Sequence, residues 1–244
     1  MLYLALKAES RKLMKKNAPM LFVVCIIYIA IISVLSELSF RFSGSSKMLS
    51  SLLSLVEKNE PPMLDILYSN ISTFGVTIAA IVLLVNKIIE VGFMQYCMKI
   101  SRAQSADYKN LVDGFFFFTK TLLIWIISSF FVFLWSLLLI VPGVIASYRY
   151  SQAYYILLDA PEKSALQCIR ESKQITHGKK LDLFLLNLSF FGWLALHVLV
   201  TMLLPLPFTV PIVLVWLTPY QSLAQVAFYN RLINYNHQDN SIEA

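Results

Sequence analysis

The chain has 244 residues, 58% of them hydrophobic and only 14% charged, with a formal net charge of +6 and a mean hydropathy of +0.68. Soluble domains carry about 25% charged residues, so this composition excludes an ordinary water-soluble enzyme or binding module and leaves a membrane domain. Lys and Arg gather in short segments beside apolar runs, which is the pattern of membrane orientation and excludes nucleic acid as the partner.

In chain order, residues 1–18 read as a basic helix with Leu2, Leu6, Leu13 and Met14 near one face and Lys7, Arg11, Lys12, Lys15 and Lys16 on others. Such a segment either lies on an anionic membrane surface or serves as a solvated lead-in that sets topology. Residues 20–38 form the first span, too long in its apolar core for a signal peptide. Residues 40–62 are polar with Met48, Leu49, Leu52, Leu53 and Val56 at helical spacing, an outer interfacial helix ended by Pro61-Pro62.

The second span, 66–98, carries Lys87 and Glu90. Three apart on one helix face, they can neutralise each other at depth; a substrate or proton site is the functional alternative. After a polar connection and the aromatic run Phe115 to Phe118, residues 119–141 make the third span.

Pro142-Gly143 then interrupts the apolar pattern and predicts a reversal of the chain, followed by a short fourth span, 143–158, that is polar at Tyr148, Arg149, Tyr150, Ser151 and Gln152. A half-membrane re-entrant limb is the competing arrangement. Arg149 with Tyr148, Tyr150, Ser151 and Gln152 is the candidate polar cavity, suited to an anionic group such as a lipid phosphate or a peptide carboxylate. The alternative is structural: Arg149 snorkels to an interface or bonds carbonyls freed by Pro142.

Residues 160–180 predict a cytoplasmic helix capped by Asp159, with Pro161 in its first turn and a stop at Gly178, Lys179 and Lys180. The fifth span is 182–204, the sixth 208–230 with Pro211 and Pro219 inside it, and 231–244 is a disordered polar tail.

Charge counting supports this topology. With the amino terminus inside and six crossings, Lys7, Arg11, Lys12, Lys15, Lys16, Lys99, Arg102, Lys109, Lys120, Lys163, Arg170, Lys173, Lys179, Lys180 and Arg231 are inside, whereas Arg41, Lys47 and Lys58 are outside. That fifteen-to-three excess is a strong positive-inside signal, with Lys87 and Arg149 completing the 20 cations. It also puts both termini in the cytoplasm.

Chemical motifs are scarce. The sequence has no nucleophile elbow, HExxH, P-loop or dinucleotide fingerprint, and His177, His197 and His237 fall in three separate segments. His197, inside the fifth span, reads as a buried hydrogen-bonded histidine rather than a ligand, and Cys25, Cys97 and Cys168 as small buried residues without metal or disulfide spacing. The expectation is an all-α polytopic bundle without enzymatic activity, cofactor or metal. Its expected partners are membrane lipids, a hydrophobic peptide or another membrane protein, in an accessory, chaperone or immunity-type role. A small transporter with a polar path through Arg149 and Lys87/Glu90 is the alternative.

Three stretches carry a resemblance: IVPGVIASYRYSQAYYILLD from Ile140, ESKQITHGKKLDLFLLNLSFFGW from Glu171 to Trp193, and TPYQSLAQVAFYNRL from Thr218. In this order they resemble the bacterial membrane proteins grouped as "domain of unknown function 975". The matching positions are Pro142, Gly143, Tyr148, Tyr150, Ser151, Glu171, Ser172, Lys173, Gly178, Lys179, Ser189, Phe190, Gly192, Trp193, Pro219 and Tyr220. Lys180 and Asp182 depart from the family pattern. The resemblance implies a helical bundle in a bacterial cytoplasmic membrane, and it supplies no activity.

Overall fold

The computed structural model describes residues 2–42, 73–203 and 212–242. The expected outer interfacial segment beyond Phe42, the start of the second span and the connection between the fifth and sixth spans lie outside these. The described residues are helical, without strands. We label the helices α1 (Leu2–Asn17), α2 (Met20–Phe42), α3 (Thr73–Ser101), α4 (Asn110–Asp113), α5 (Phe118–Leu138), α6 (Ile140–Tyr150), α7 (Ala153–Asp159), α8 (Ala165–Ile175), α9 (Lys180–Leu203) and α10 (Ile212–Ile242), with a 3-10 turn at Gly114–Phe117.

Four helices are long and apolar enough to cross a membrane: Met20–Phe42, Gly75–Ser101, Asn110–Leu138 and Lys180–Leu199. At 1.5 Å per residue a 20-residue helix covers about 30 Å, the depth of a bilayer core. The first, third and fourth are each 17% buried in their most apolar window, whereas the α3 helix is 33% buried, which makes it the central one. Large apolar side chains point outward from the others, including Ile26, Val34, Phe130, Phe133, Phe191 and Val198. Such faces are stable against lipid and would aggregate in water.

The core joins α3, α7 and α10. Phe93, Tyr96, Cys97, Tyr155, Ile156, Ala224, Phe228 and Tyr229 are fully buried there. Tyr28 stacks on Phe93 at 4.5 Å and Tyr155 on Tyr229 at 5.3 Å. Helix α1 buries Leu6, Ser10 and Met14 on one face, and it packs on α10 and α9. Helix α10 contains Pro219, which has no N–H to give the carbonyl of Val215. The Cys25 thiol donates to that carbonyl at 3.5 Å.

Three sequence expectations need correction. The reversal after the third span falls at Leu139 and not at Pro142-Gly143: Leu139 is extended (φ −162°, ψ 152°), and α6 begins at Ile140. Pro142 sits in the first turn of α6, where its missing N–H has no intrahelical partner to lose. Gly143 has a different use, since a Cβ there would lie 2.0 Å from Ser136 Oγ and 2.9 Å from Ser136 Cα. Its lack of a side chain lets α6 fold back onto α5 in a close hairpin.

The second correction concerns the cap of α8. Ser164, not Asp159, caps it: its hydroxyl accepts from Gln167 N–H while the Gln167 side chain accepts from Ser164 N–H, a reciprocal capping box. Asp159 has other partners, described below. The stop at Gly178 is left-handed (φ 74°), the conformation glycine tolerates best.

The third concerns the polar tail. Helix α10 continues to Ile242, so residues from Arg231 onward are helical. Arg231 pairs with Glu9 of α1 at 3.2 Å, Ile233 packs on the core, and Lys179 lies 4.7 Å above the Tyr235 ring. Once the buried part of α10 is nucleated, each further residue adds a backbone bond at low cost.

Candidate functional site

Helix α6 ends at Tyr150, which leaves its last carbonyls without helical partners. Two hydroxyls satisfy them. Ser151 Oγ donates to Tyr148 O at 2.9 Å, and the buried Ser172 Oγ of α8 donates to Arg149 O at 2.8 Å. The second bond ties α8 to the end of α6 and sets the position of the Arg149 side chain.

That side chain enters a cavity of about 280 Å³ lined by Arg149, Lys173, Gln174, His177 and Lys180. The residues come from the end of α6, the last turn of α8, the turn containing Gly178 and the start of α9. The left-handed Gly178 turns the chain so that Lys180 joins Lys173. Arg149 Nε is buried with no hydrogen-bond partner. Among the described residues none of Arg149, Lys173 and Lys180 is ion-paired, and no carboxylate lines the cavity. Glu171, the nearest acid on α8, is held by Lys163 at 2.6 Å, and this bond raises the lysine pKa. Three unneutralised cations around one opening form a site for an anion.

The other residues of the predicted cavity lie elsewhere. Tyr148 packs edge-on against Phe184 of α9. Tyr150 and Ser151 face α5 with Ser128, Ser129, Ser147 and Tyr154 in a separate groove of about 350 Å³. Gln152 is 1% exposed, and its amide nitrogen donates to Ser151 Oγ at 2.9 Å. The sequence placed all five at one site because they are adjacent, but helical geometry turns neighbours about 100° apart onto different faces.

Lys87 and Glu90 bond at 3.0 Å, and Lys87 also lies 4.5 Å above the Tyr154 ring. The pair therefore braces α3 against α7. Lys87 lines a crevice of about 10 Å³ with α5, separate from the Arg149 cavity.

Two clusters had no single-sequence signal. Arg102, just past α3, makes a two-pronged ion pair with Asp159, one arm at 2.9 Å, and also reaches Asn230 at 3.1 Å. Tyr229 donates to the same carboxylate at 2.8 Å, and the Asp159 bond raises the Arg102 pKa. The second cluster forms around Lys7, which donates to Ser189 O at 3.0 Å and sits 4.3 Å above the Phe190 ring, with Tyr220 beside it. Desolvation, then the charge of Arg11, lowers the Lys7 pKa. Both clusters join residues more than 50 positions apart, beyond the reach of local periodicity. Among the described residues no three His, Cys, Asp or Glu side chains are placed to hold a metal ion.

The helices and their outward apolar faces define an all-helical protein of membrane-spanning type. Residues 137–236 match the family model described as Protein of unknown function (DUF975), so this stretch of the chain is similar to that family. The matched stretch contains the whole cationic cavity and every motif from Pro142 to Tyr220. No curated protein and no solved structure matches the chain.

Proposed function

We propose that this is a non-enzymatic protein of the bacterial cytoplasmic membrane whose cationic cavity binds the anionic headgroup of a lipid, in an accessory or chaperone-type role toward other membrane components. The carrying observation is the convergence on one opening of Arg149, Lys173 and Lys180, none of them ion-paired among the described residues. With six crossings and both termini cytoplasmic, the broken limb α6–α7 completes a span of about 30 Å. This topology puts the cavity at the inner leaflet, where anionic lipids attract each Lys or Arg by about 1 kcal/mol. The basic helix α1 lies at the same surface.

The transporter alternative requires Lys87/Glu90 and Arg149 to share a path, and their separation into different cavities speaks against it. Native mass spectrometry of the purified chain with anionic and zwitterionic lipids tests the proposal. The double variant Arg149→Gln/Lys173→Gln should lose anionic-lipid occupancy by about tenfold or more, as expected for the loss of two charges. Equal retention of both lipid types by the unaltered protein contradicts the proposal.

A further inference from the structure

We propose that the cavity selects a phosphate monoester over a phosphodiester. This rests on the anionic-headgroup reading above and specifies the ligand's chemistry. Arg149, Lys173 and Lys180 bring three full positive charges, and no lining carboxylate offsets them. Glu171 is engaged by Lys163, and Asp182 on the first turn of α9 is not among the lining residues. A phosphodiester carries one negative charge and leaves most of this field uncompensated. A phosphate monoester carries about −1.5 to −2 at neutral pH, on three terminal oxygens.

The donors match those oxygens in kind and number. The Arg149 guanidinium is a planar fork that binds two oxygens side by side, whereas Lys173 and Lys180 are compact point charges. The Gln174 amide supplies a neutral N–H as well. Arg149 Nε, buried and without a partner, is a donor that the fold itself leaves unused. Such a group is costly to bury unless an acceptor meets it. A carboxylate would engage the guanidinium and leave both lysines unmatched. At about 280 Å³ the cavity has room for a phosphate and its first ester atoms.

The same chemistry is presented by a lipid of the phosphatidic acid type and by free phosphate, and the test separates them. The full chain in neutral detergent is titrated by calorimetry with short-chain phosphatidic acid, with short-chain phosphatidylglycerol at twice the concentration to equalise charge, and with inorganic phosphate. The expected result is at least a tenfold preference for phosphatidic acid. Lys173→Gln, at an exposed position whose loss leaves the fold intact, and Arg149→Gln should each shrink that preference to about twofold. Inorganic phosphate binding as tightly as the lipid supports the monoester chemistry and makes a free phosphate the ligand. Weak inorganic phosphate binding beside the lipid preference makes the ligand lipid-borne. Phosphatidic acid and phosphatidylglycerol binding within twofold of each other overturns the monoester inference and leaves the anionic-headgroup reading standing. Binding of none of the three overturns both.

Discussion

The Ser172 hydroxyl donates to the main-chain carbonyl of Arg149 at 2.8 Å, joining the helix that carries Lys173 to the end of the helix that carries Arg149. One short polar bond thus fixes the distance between two cations of the cavity. Ser172→Ala leaves a carbonyl at the end of α6 unsatisfied. It is expected to cost about 1–2 kcal/mol in unfolding assays and to weaken anionic-lipid binding without removing a charge. Unchanged lipid binding in a destabilised variant would show that the bond does not position the site.

The hairpin of α5 and α6 depends on Gly143. A Cβ there would overlap Ser136 and press on its backbone, so Gly143→Ala is expected to destabilise the protein by about 1–3 kcal/mol. Adding Ser136→Gly should recover part of the loss, because the clash is with that residue. A thermal unfolding comparison of the single and double variants checks this, and a neutral Gly143→Ala contradicts the close packing.

Asp159 holds Arg102 and accepts from Tyr229, so α3, α7 and α10 share one carboxylate. Removal by Asp159→Ala leaves the arginine without its carboxylate and is expected to cost about 2–3 kcal/mol, whereas Tyr229→Phe should cost about 1 kcal/mol. The two effects should be non-additive in a double-mutant cycle. Strict additivity would show that the contacts are independent.

Cys168 is fully buried in α8, and burial raises its thiol pKa. It should therefore resist alkylation at neutral pH until α8 opens. Ser164→Ala removes the capping box at a cost of about 1 kcal/mol and should speed labelling of Cys168 by about fivefold. Immediate labelling in the unaltered protein would contradict this placement of α8.

Lys7 gives a pH prediction of defined sign. Its folded pKa lies below the ordinary value of 10.5, so between the folded and unfolded pKa the unfolded chain binds the extra proton. Stability must rise with pH through that window. Relative to Lys7→Met, the unaltered protein should gain stability as pH is raised from neutral toward 10.5. A decline over that range would mean that the Phe190 and Tyr220 rings favour the charged form by more than desolvation disfavours it.

Much of this was legible from sequence because membrane helices announce themselves by the length of their apolar runs. Four of the six expected spans overlap helices long and apolar enough to cross a membrane, and the Lys87–Glu90 bond follows from spacing alone. Arg149 was legible as the unusual residue in its limb, but its companions were not. Lys173, His177 and Lys180 reach it only because Gly178 turns the chain and Ser172 docks α8, and both are tertiary events. The Leu139 reversal was missed for a similar reason. Pro142 is a strong local signal, yet a proline in a first helical turn starts a helix as readily as it ends one.

The most direct test of the cationic cavity is photo-crosslinking in the native membrane from position 174, which carries the amide in its lining. With a benzophenone amino acid replacing Gln174, the account predicts an adduct to a phosphate-bearing lipid, lost when Arg149→Gln and Lys180→Gln are added. An adduct to protein alone, or a lipid adduct that survives both substitutions, would contradict it.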